Sequence, residues 1–379
     1  MTAGRPGIPT GRASLTTGWF NAVFGSQPSL AIPEISSIQL DDSVVPGMMS
    51  DVVRIIVRYV GDTGPSDRPL PGSFIVKLSA RGEAMRTRPA TRLSYLKEVR
   101  FYQQLAENMS LPCARCYYAD VDAQTGDHVL VLEDLAPGVG RPLADGCSLE
   151  EAELAVVWLA RLHGRWWDSA QLDDLTWLPE PAPLDPAGTG AQHRRWWPEF
   201  LDIAGERLSP QMRDYGAALG GEFARLMNQL LFSAPRTLRH GDYSLSNMLF
   251  DAGSINGEGS EPRPFVVIDW QMLARGKGPW DLAWFLGQSL TVVQRRAWEG
   301  DLLTLYHSSL LAQGVRGYDF EHCLLDYRRA IGQRFGTIIS SVVALPFSAS
   351  QKAEILNVQL PRNAAAISDH GGLAILDGI

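Results

Sequence analysis

The hydrophobic pattern of this chain changes from mainly strand-like to mainly helical near residue 136. Between Ile35 and Leu78, β-branched runs alternate with clusters of Gly, Pro and Asp, which predicts an antiparallel meander of strands. Beyond residue 136, long segments follow the 3.6-residue period of amphipathic helices. Strands gathered before helices indicate an α+β fold, and a length of 379 residues suits two lobes.

A segment rich in Gly and Pro, APGVGRPLADG, follows Leu135 and separates the two regions. Before it, the periodicity predicts a helix from Leu93 to Met109 that carries Glu98 on an otherwise apolar face. Two further strands are expected, at residues 116–121 and 128–133. We therefore predict an N-lobe over residues 1–135, with an N-terminal helix, and a C-lobe over residues 136–379.

The C-lobe is expected to be helical except for a short β-rich island from Pro235 to Ile268. Its first helix begins with Ser148 and Glu151, which have the S-x-x-E spacing of a capping box. Four further helices are expected at Met212–Leu231, Trp280–Thr291, Arg295–Gln313 and Phe320–Ser341. The stretch after Asn363 gives no prediction.

Charge and cysteine content exclude several classes of protein. The chain has 34 Lys and Arg against 42 Asp and Glu, a net charge of -8, so neither a nucleic acid nor an anionic membrane is an expected partner. Four cysteines do not form a disulfide framework in a chain this long, and Cys113 and Cys116 are expected to be packing thiols rather than zinc ligands. Since the N-terminus lacks an apolar run of signal-peptide length, we expect a cytoplasmic location.

The β-rich island holds three side chains of the kind that phosphoryl transfer requires. Asp242 and Asn247 lie in the motif H-G-D-x-x-x-x-N, and Asp269 ends the apolar run VVID. Carboxylate and carboxamide oxygens are hard ligands, so Asn247 and Asp269 are the candidate Mg²⁺ ligands, and Asp242 orients the acceptor. Each residue alone could be a turn former, and His240 a structural histidine, but the ordered combination predicts a kinase catalytic loop.

A lysine and a glutamate of the N-lobe add a second part of the candidate site. Lys77 ends the strand run FIVK, and Glu98 follows on the amphipathic helix. Because a buried carboxylate needs a partner, we predict an ion pair between Lys77 and Glu98 with a catalytic role. Glu83 is the competing partner, but it lies in a loop without apolar neighbours.

The phosphate-covering loop is the weakest part of the pattern. The segment VVPGMMSD contains Gly47 and Ser50 but no G-x-G-x-x-G, so its backbone would reach phosphates only if the turn folds over them. No G-x-x-x-x-G-K-[ST] motif is present, which excludes a P-loop NTPase.

Seven segments together resemble the aminoglycoside phosphotransferase and choline kinase superfamily, in particular its ecdysteroid kinase-like branch: PGMMSDVVRIIVRY, FIVKL, EVRFYQQL, LVLEDLA, HGDYSLSNMLF, VIDWQ and GPWDLAWFL. The resemblance spans Trp19 to Leu311 and implies a protein-kinase-like fold with an ATP-binding cleft between the lobes. It also implies that adenine lies against the backbone of Glu133 to Leu135 and that Lys77 binds the α- and β-phosphates. The remaining implied roles are Asp242 as catalytic base or orienter, Asn247 and Asp269 as Mg²⁺ ligands, and Asp281 as a brace of the catalytic loop. For Asp281, a helix N-cap is the alternative.

The expected acceptor is a small molecule. Only eleven residues separate Asp269 from Asp281, too few for the activation segment of a protein kinase. Six tryptophans fall in the segment expected to flank the acceptor: Trp158, Trp166, Trp167, Trp177, Trp196 and Trp197. They are either core residues or the wall of a site for an apolar or ring-bearing alcohol.

Three alternatives are weighed against this hypothesis. A polycationic aminoglycoside would need several carboxylates, and the candidates are Asp168, Asp173, Asp174, Glu180 and Asp202. The chain could also be a catalytically silent nucleotide-binding protein of the same fold. A hydrolase or acyltransferase with His240 or His163 as base is disfavoured because the chain lacks a nucleophile motif. The acceptor's identity, the choice of ATP or GTP and the oligomeric state are not specified by the sequence.

Overall fold

The computed structural model of the chain describes residues 6–42, 49–61, 70–109, 111–136, 138–252 and 263–377. These residues form two compact units. The first unit comprises Met1–Val139 and Leu249–Met272, and the second comprises Gly140–Met248 and Leu273–Ile379. The chain thus returns to the first unit at residues 249–272, after residues 140–248 of the second unit. The predicted lobes over residues 1–135 and 136–379 stay a prediction.

The first unit is built on a five-stranded antiparallel sheet. Its strands are β1 (Ile35–Asp41), β2 (Ser50–Tyr59), β3 (Ser73–Ser79), β4 (Cys116–Val121) and β5 (His128–Glu133), in the order β1-β2-β3-β5-β4. Alternating apolar residues and Gly- or Pro-rich turns produce these strands, so the predicted antiparallel sheet is confirmed.

An N-terminal helix, α1 (Thr17–Gly25), covers one face of this sheet. Thr16 caps the helix by accepting a hydrogen bond from the backbone N–H of Trp19 at 3.1 Å. Phe20 and Phe24 pack against Phe74 of β3, with ring centroids 6.4 and 5.3 Å apart. Because side chains alternate across a strand, this apolar core uses Phe74 and its even-numbered neighbours and directs the odd-numbered residues to the opposite face.

The opposite face carries the helix that positions a predicted site residue. After the short α2 (Glu83–Arg86), α3 runs over Pro89–Gln104 and continues in a 3₁₀ turn, Ala106–Asn108. The predicted helix over Leu93–Met109 is therefore confirmed but begins four residues earlier. Glu98 is fully buried on this helix.

Five short strands complete the β structure: β6 (Val139–Gly140), β7 (Thr237–Arg239), β8 (Met248–Ala252), β9 (Arg263–Val267) and β10 (Ala274–Gly276). β6, β8 and β9 form one small sheet, while β7 pairs antiparallel with β10. The predicted β-rich island is confirmed. β10 was not predicted, because three residues are too short for a periodic signal.

The second unit is mainly helical. Its helices are α4 (Leu149–Arg165), α5 (Gln171–Asp174), α6 (Pro186–Ala204), α7 (Pro210–Phe232), α8 (Pro279–Trp284), α9 (Val292–Ala312), α10 (Phe320–Val343), α11 (Ala349–Glu354), α12 (Leu360–Asp369) and α13 (Ala374–Asp377). The capping box of Ser148 and Glu151 is present, as predicted. The predicted helix over Trp280–Thr291 consists of α8 and a π-helical turn, Phe285–Ser289.

The C-terminal helices are held to the rest of the second unit by buried polar contacts. Arg362 of α12 donates to the carbonyl oxygens of Leu143, Ala144 and Gln288 at 2.7 to 2.8 Å. Asn363 donates to the carbonyl of Ile331 at 3.0 Å. In the part of the chain that the structure describes, no helix is both long and apolar enough to span a bilayer.

Candidate active site

In the first unit, Lys77 lies between two carboxylates. Its Nζ is 2.8 Å from both carboxylate oxygens of Glu98 and 2.9 Å from Oδ1 of Asp269. Lys77 stands on β3 between Val52 and Leu130 of the neighbouring strands, and Glu98 comes from α3. The predicted Lys77–Glu98 pair is therefore present in the structure. We call these three residues the Lys77 cluster.

Burial sets the electrostatics of the Lys77 cluster. Burial alone would lower the pKa of Lys77, but the charges of Asp269 and Glu98 hold that pKa above its ordinary value. Burial also raises the pKa of Glu98, and Lys77 offsets part of that rise. One ammonium group faces two carboxyl groups, so the cluster in its fully ionised form has one negative charge in excess, which favours a bound cation.

Asp269 is held in an unusual backbone conformation. Its φ is +66°, the left-handed region that few residues other than glycine adopt. Gln271 donates to Oδ2 of Asp269 at 3.1 Å, and Trp270 is buried against Phe101 with ring centroids 4.0 Å apart. Neighbouring contacts thus maintain the strained residue, as is typical of functional positions.

In the second unit, the residues of the H-G-D-x-x-x-x-N motif come together. Asn247 donates through Nδ2 to the backbone oxygen of Asp242 at 2.8 Å and to its Oδ2 at 3.0 Å. The indole N–H of Trp284 donates to Oδ1 of Asp242 at 2.8 Å. Both oxygens of this carboxylate therefore accept hydrogen bonds from uncharged donors.

Asp281 fixes the loop that carries Asp242. Its carboxylate accepts the backbone N–H groups of His240 at 2.7 Å and Gly241 at 3.0 Å, and His163 lies 3.3 Å away. Burial works to raise the pKa of Asp281, but the hydrogen bond with His163 and the charge of Arg239 hold that pKa below its ordinary value. Asp281 is thus the brace that the resemblance implied, and the N-cap position of α8 belongs to Gly278.

The two histidines of the hydrolase alternative serve as structural groups. Nδ1 of His163 lies 2.7 Å from the hydroxyl of Tyr306, and its other ring nitrogen faces Asp281. Burial lowers the pKa of His163. His240 is fully buried, and its Nδ1 accepts the backbone N–H of Asp242 at 3.3 Å. These contacts favour scaffolding over general-base chemistry for both residues.

Comparison with known families assigns the chain. The model of the phosphotransferase enzyme family, APH, matches residues 62–321, more than half of the chain. The chain belongs to this phosphotransferase family. No curated protein matches the chain.

Solved structures similar to this phosphotransferase share little sequence with it. The GDP complex of aminoglycoside 2′-phosphotransferase-IIIa has a TM-score of 0.54 and 11% identity over 93% of this chain and 99% of that chain. The ethanolamine kinase of Plasmodium vivax has a TM-score of 0.48 and 10% identity over 99% of this chain and 92% of that chain. The first likeness shows the fold, so the predicted kinase-like α+β class is confirmed.

The residues predicted to line the adenine site in this phosphotransferase are engaged in structural contacts. The Glu133 carboxylate accepts from Arg263 at 2.6 Å and from the backbone N–H of Arg115 at 3.1 Å. Leu135 is buried two residues after β5. The Glu133 side chain thus binds groups of the first unit. The predicted contact of adenine involves the backbone of this segment, and that contact stays a prediction.

The predicted phosphate-covering residues have different outcomes. Gly47 lies outside the described residues. Ser50 begins β2, and its buried Oγ has no hydrogen-bond partner within the described part of the chain. A contact of either residue with phosphate stays a prediction.

The predicted metal ligands, Asn247 of the second unit and Asp269 of the first, carry hard oxygen donors of the kind that Mg²⁺ prefers, and their joint role stays a prediction. Asn247 uses its Nδ2 toward Asp242, while its Oδ1 accepts no hydrogen bond from the described residues. The described residues contain no group of three His, Cys, Asp or Glu arranged to hold a metal. Mg²⁺ takes oxygen ligands, retains water and binds substrate phosphates. Cys113 and Cys116 instead have thiols whose pKa is raised by burial, and each contacts a backbone carbonyl oxygen.

Sequence analysis did not find two residues beside Asp242. Trp284 donates to its carboxylate, and the Cζ of Arg334 from α10 lies 3.6 Å from the centroid of the Trp284 ring. Trp284 follows Asp281 by three residues and therefore shares its side of α8, a spacing visible in GPWDLAWFL. Arg334 lies 92 positions after Asp242 in an ordinary helical segment, so no local signal marks it.

Proposed function

We propose that this phosphotransferase is a small-molecule kinase that transfers the γ-phosphate of ATP, bound with Mg²⁺, to a hydroxyl group of a small alcohol. The observation that carries the proposal is the position of Lys77 Nζ, 2.8 Å from Glu98 and 2.9 Å from Asp269. A lysine held by a helix glutamate beside a metal-binding aspartate is the arrangement by which kinases hold the nucleotide phosphates.

In the proposal, each polar group has one role. Lys77, oriented by Glu98, binds the α- and β-phosphates, and Asp242 orients the acceptor hydroxyl and accepts its proton. Asn247 and Asp269 are the protein ligands of Mg²⁺. When bound, the ion supplies charge neutralisation to the phosphate oxygens.

The acidic residues of the second unit favour an uncharged acceptor over an aminoglycoside. Glu180 pairs with Arg236 and lies 3.4 Å from Arg275. Asp173 lies 3.8 Å from Arg275, and Asp168 accepts the backbone N–H of Arg236 at 2.7 Å. Three of the five carboxylates that a polycation would need therefore already have partners in the protein.

The flanking tryptophans are distributed between core and surface. Trp166 is buried, whereas Trp197 is half-buried and packs against Phe200 and Phe335, with ring centroids 5.9 and 6.2 Å apart. Trp167 is half-buried beside Tyr318 at 4.9 Å. Half-buried rings such as Trp167 support an apolar or ring-bearing alcohol as acceptor, and we propose membership of the ecdysteroid kinase-like branch on that basis. A cytoplasmic location, consistent with four free cysteines, is part of the same proposal.

The test is a screen of alcohols, sterols, amino alcohols and amino sugars for ADP release from Mg·ATP. Asp242→Asn should reduce transfer about 10³-fold and leave nucleotide affinity within about twofold, because it removes the acceptor-orienting carboxylate. Asp301→Asn, an exposed change on α9, is the matched control and should be fully active. An Asp242→Asn enzyme of undiminished kcat would refute the assignment. Tight Mg·ATP binding without ADP release from any acceptor would instead support the catalytically silent alternative.

A further inference from the structure

Trp284, which donates a hydrogen bond to Asp242, is itself in contact with a buried arginine. The Arg334 guanidinium stacks on the Trp284 ring, with its Cζ 3.6 Å from the ring centroid. One NH2 group of Arg334 donates to Gln288 at 2.6 Å and to Gln359 at 2.8 Å, which fixes the guanidinium on the ring. The order of groups is therefore a carboxylate, an indole N–H, the indole ring and a cation.

Arg334 is a buried cation with uncharged hydrogen-bond partners. Its residue is 9% exposed, and within the described part of the chain it forms no ion pair with a carboxylate. Burial lowers the pKa of Arg334 to about 10, and the charge of Asp242 works in the opposite direction. A desolvated guanidinium needs a negative charge within reach, and Asp242, across the indole, supplies it.

A cation on an indole face changes the donor strength of the indole. The positive charge attracts the electrons of the ring, so the N–H at the ring edge becomes more positive and a stronger donor. Hydrogen bonds to an ionised carboxylate are the strong ones in proteins. Arg334 thus strengthens the bond from Trp284 to Asp242 without touching the carboxylate.

We infer that Trp284 is a positioning residue that holds the carboxylate of Asp242 in its reactive orientation, and that Arg334 sets the strength of this hold. The inference rests on the proposed function, in which Asp242 orients the acceptor hydroxyl. Asn247 donates to Oδ2 and Trp284 donates to Oδ1, so loss of the Trp284 donor removes one of the two hydrogen bonds that orient the carboxylate. Small misplacements of a catalytic group reduce turnover more than they reduce nucleotide binding.

Trp280 supplies a matched control on the same helix. Its ring lies parallel to that of Trp284, at 10° and 6.2 Å, and Arg239 lies 4.3 Å from its centroid. The indole N–H of Trp280 is buried and has no hydrogen-bond partner among the described residues. Trp280→Phe therefore removes an indole stacked beside an arginine, as Trp284→Phe does, but breaks no bond to Asp242.

The test compares Trp284→Phe and Trp280→Phe in ADP release from Mg·ATP, with water as the acceptor. Trp284→Phe should lower kcat about 10- to 100-fold, the range for a hydrogen bond to a charged group, with the KM for Mg·ATP within about twofold. Trp280→Phe should change neither kcat nor the KM for Mg·ATP by more than about twofold relative to the wild type. Arg334→Met should give an intermediate loss. In an Asp242→Asn background, Trp284→Phe should add less than about twofold, because it acts through the same carboxylate.

A second readout does not depend on turnover. In ¹⁵N-labelled protein, Asp242→Asn should shift the indole N–H resonance of Trp284 and leave that of Trp280 in place. Equal kcat values for the two Phe variants, full additivity with Asp242→Asn, or an unmoved Trp284 resonance would each overturn the inference. If the wild type releases no ADP with any acceptor, the proposed function fails, and the resonance still decides whether Trp284 holds Asp242.

Discussion

The two units hold their predicted catalytic carboxylates by different means. In the first unit, Glu98 and Asp269 face the ammonium group of Lys77, so the contacts join opposite charges. In the second unit, Asp242 accepts from the uncharged donors Asn247 and Trp284. The first arrangement depends on charge balance, whereas the second depends on the geometry of the two hydrogen-bond donors.

This difference matches the two tasks in the proposed reaction. A group that meets a triphosphate must present positive charge and metal ligands, and the Lys77 cluster contains both. A group that orients a hydroxyl must remain a carboxylate in a fixed orientation, and hydrogen bonds from the uncharged donors Asn247 and Trp284 hold Asp242 in that way. Variants that change charge should therefore affect the first region most, and variants that change hydrogen-bond geometry the second.

The largest effect is expected from Lys77→Met. The variant leaves the buried Glu98 beside Asp269 without a cation and removes the phosphate-binding charge, so phosphoryl transfer should fall about 10²- to 10³-fold. Lys277→Met is the control, since Lys277 is a buried lysine of the second unit and its Nζ lies 3.2 Å from the carboxylate of Asp326. Both variants should lose stability, measured by urea unfolding. Equal activity of the two, per folded molecule, would contradict a catalytic role for Lys77.

Asp281→Asn tests the geometric side of the comparison. An amide offers one acceptor oxygen to the three donors around Asp281, so we expect a loss of about 3 kcal/mol in unfolding free energy and at least about tenfold in kcat. Asp326→Asn removes a similarly buried carboxylate that does not contact the catalytic loop. That control should lose stability while its kcat stays within about twofold. If Asp281→Asn also keeps its kcat, the bracing contacts have no bearing on catalysis.

Acid should weaken the first unit through His128. Burial lowers the pKa of His128 to about 3, and the ring stacks on Tyr95 at 4.0 Å. The unfolded chain binds a proton near pH 6.5, so between these two values acidification stabilises the unfolded state by about 1.4 kcal/mol per pH unit. His128→Phe should therefore reduce the stability lost between pH 6.5 and pH 5 by about 2 kcal/mol. Parallel stability curves for wild type and variant over this range would contradict the prediction.

The smallest effect is expected at the capping box of α4. Ser148→Ala should cost about 1 kcal/mol of stability, because the backbone N–H of Glu151 loses its acceptor. α4 carries His163 at its other end, so kcat should not change. Ser148→Thr retains the acceptor and should remain close to wild type. A fall in kcat for Ser148→Ala larger than about twofold would mean that the catalytic loop depends on the whole of α4.

Local patterns predicted the strands and most helices well. β1, β4 and β5 have the predicted bounds, because alternation and flanking turns mark both ends of each strand. α6 was not predicted, since Pro198 and two glycines interrupt its helical signal. The chain keeps a helix there because Asp185 caps its start and Phe200 is buried on its inner face.

Side-chain contacts within each unit were predictable from the sequence only where both residues belong to recognisable motifs. The Lys77–Glu98 pair and the Asp242–Asn247 contact follow from strand, helix and loop motifs that the sequence contains. The contact of Arg334 with Trp284 depends on where α10 packs, which no short-range pattern specifies. The packing of α1 against one face of the sheet likewise depends on tertiary contacts that no short-range pattern specifies.

The most direct test of the account is calorimetric titration of the wild type and Asp269→Ala with ATP at several Mg²⁺ concentrations. The account predicts that wild-type affinity for ATP rises with Mg²⁺ and that Asp269→Ala requires at least about tenfold more Mg²⁺ to reach the same affinity. Equal affinity for ATP in Mg²⁺ and in EDTA, or an unchanged Mg²⁺ requirement in the variant, would contradict the assignment of the Lys77 cluster as a metal–nucleotide site.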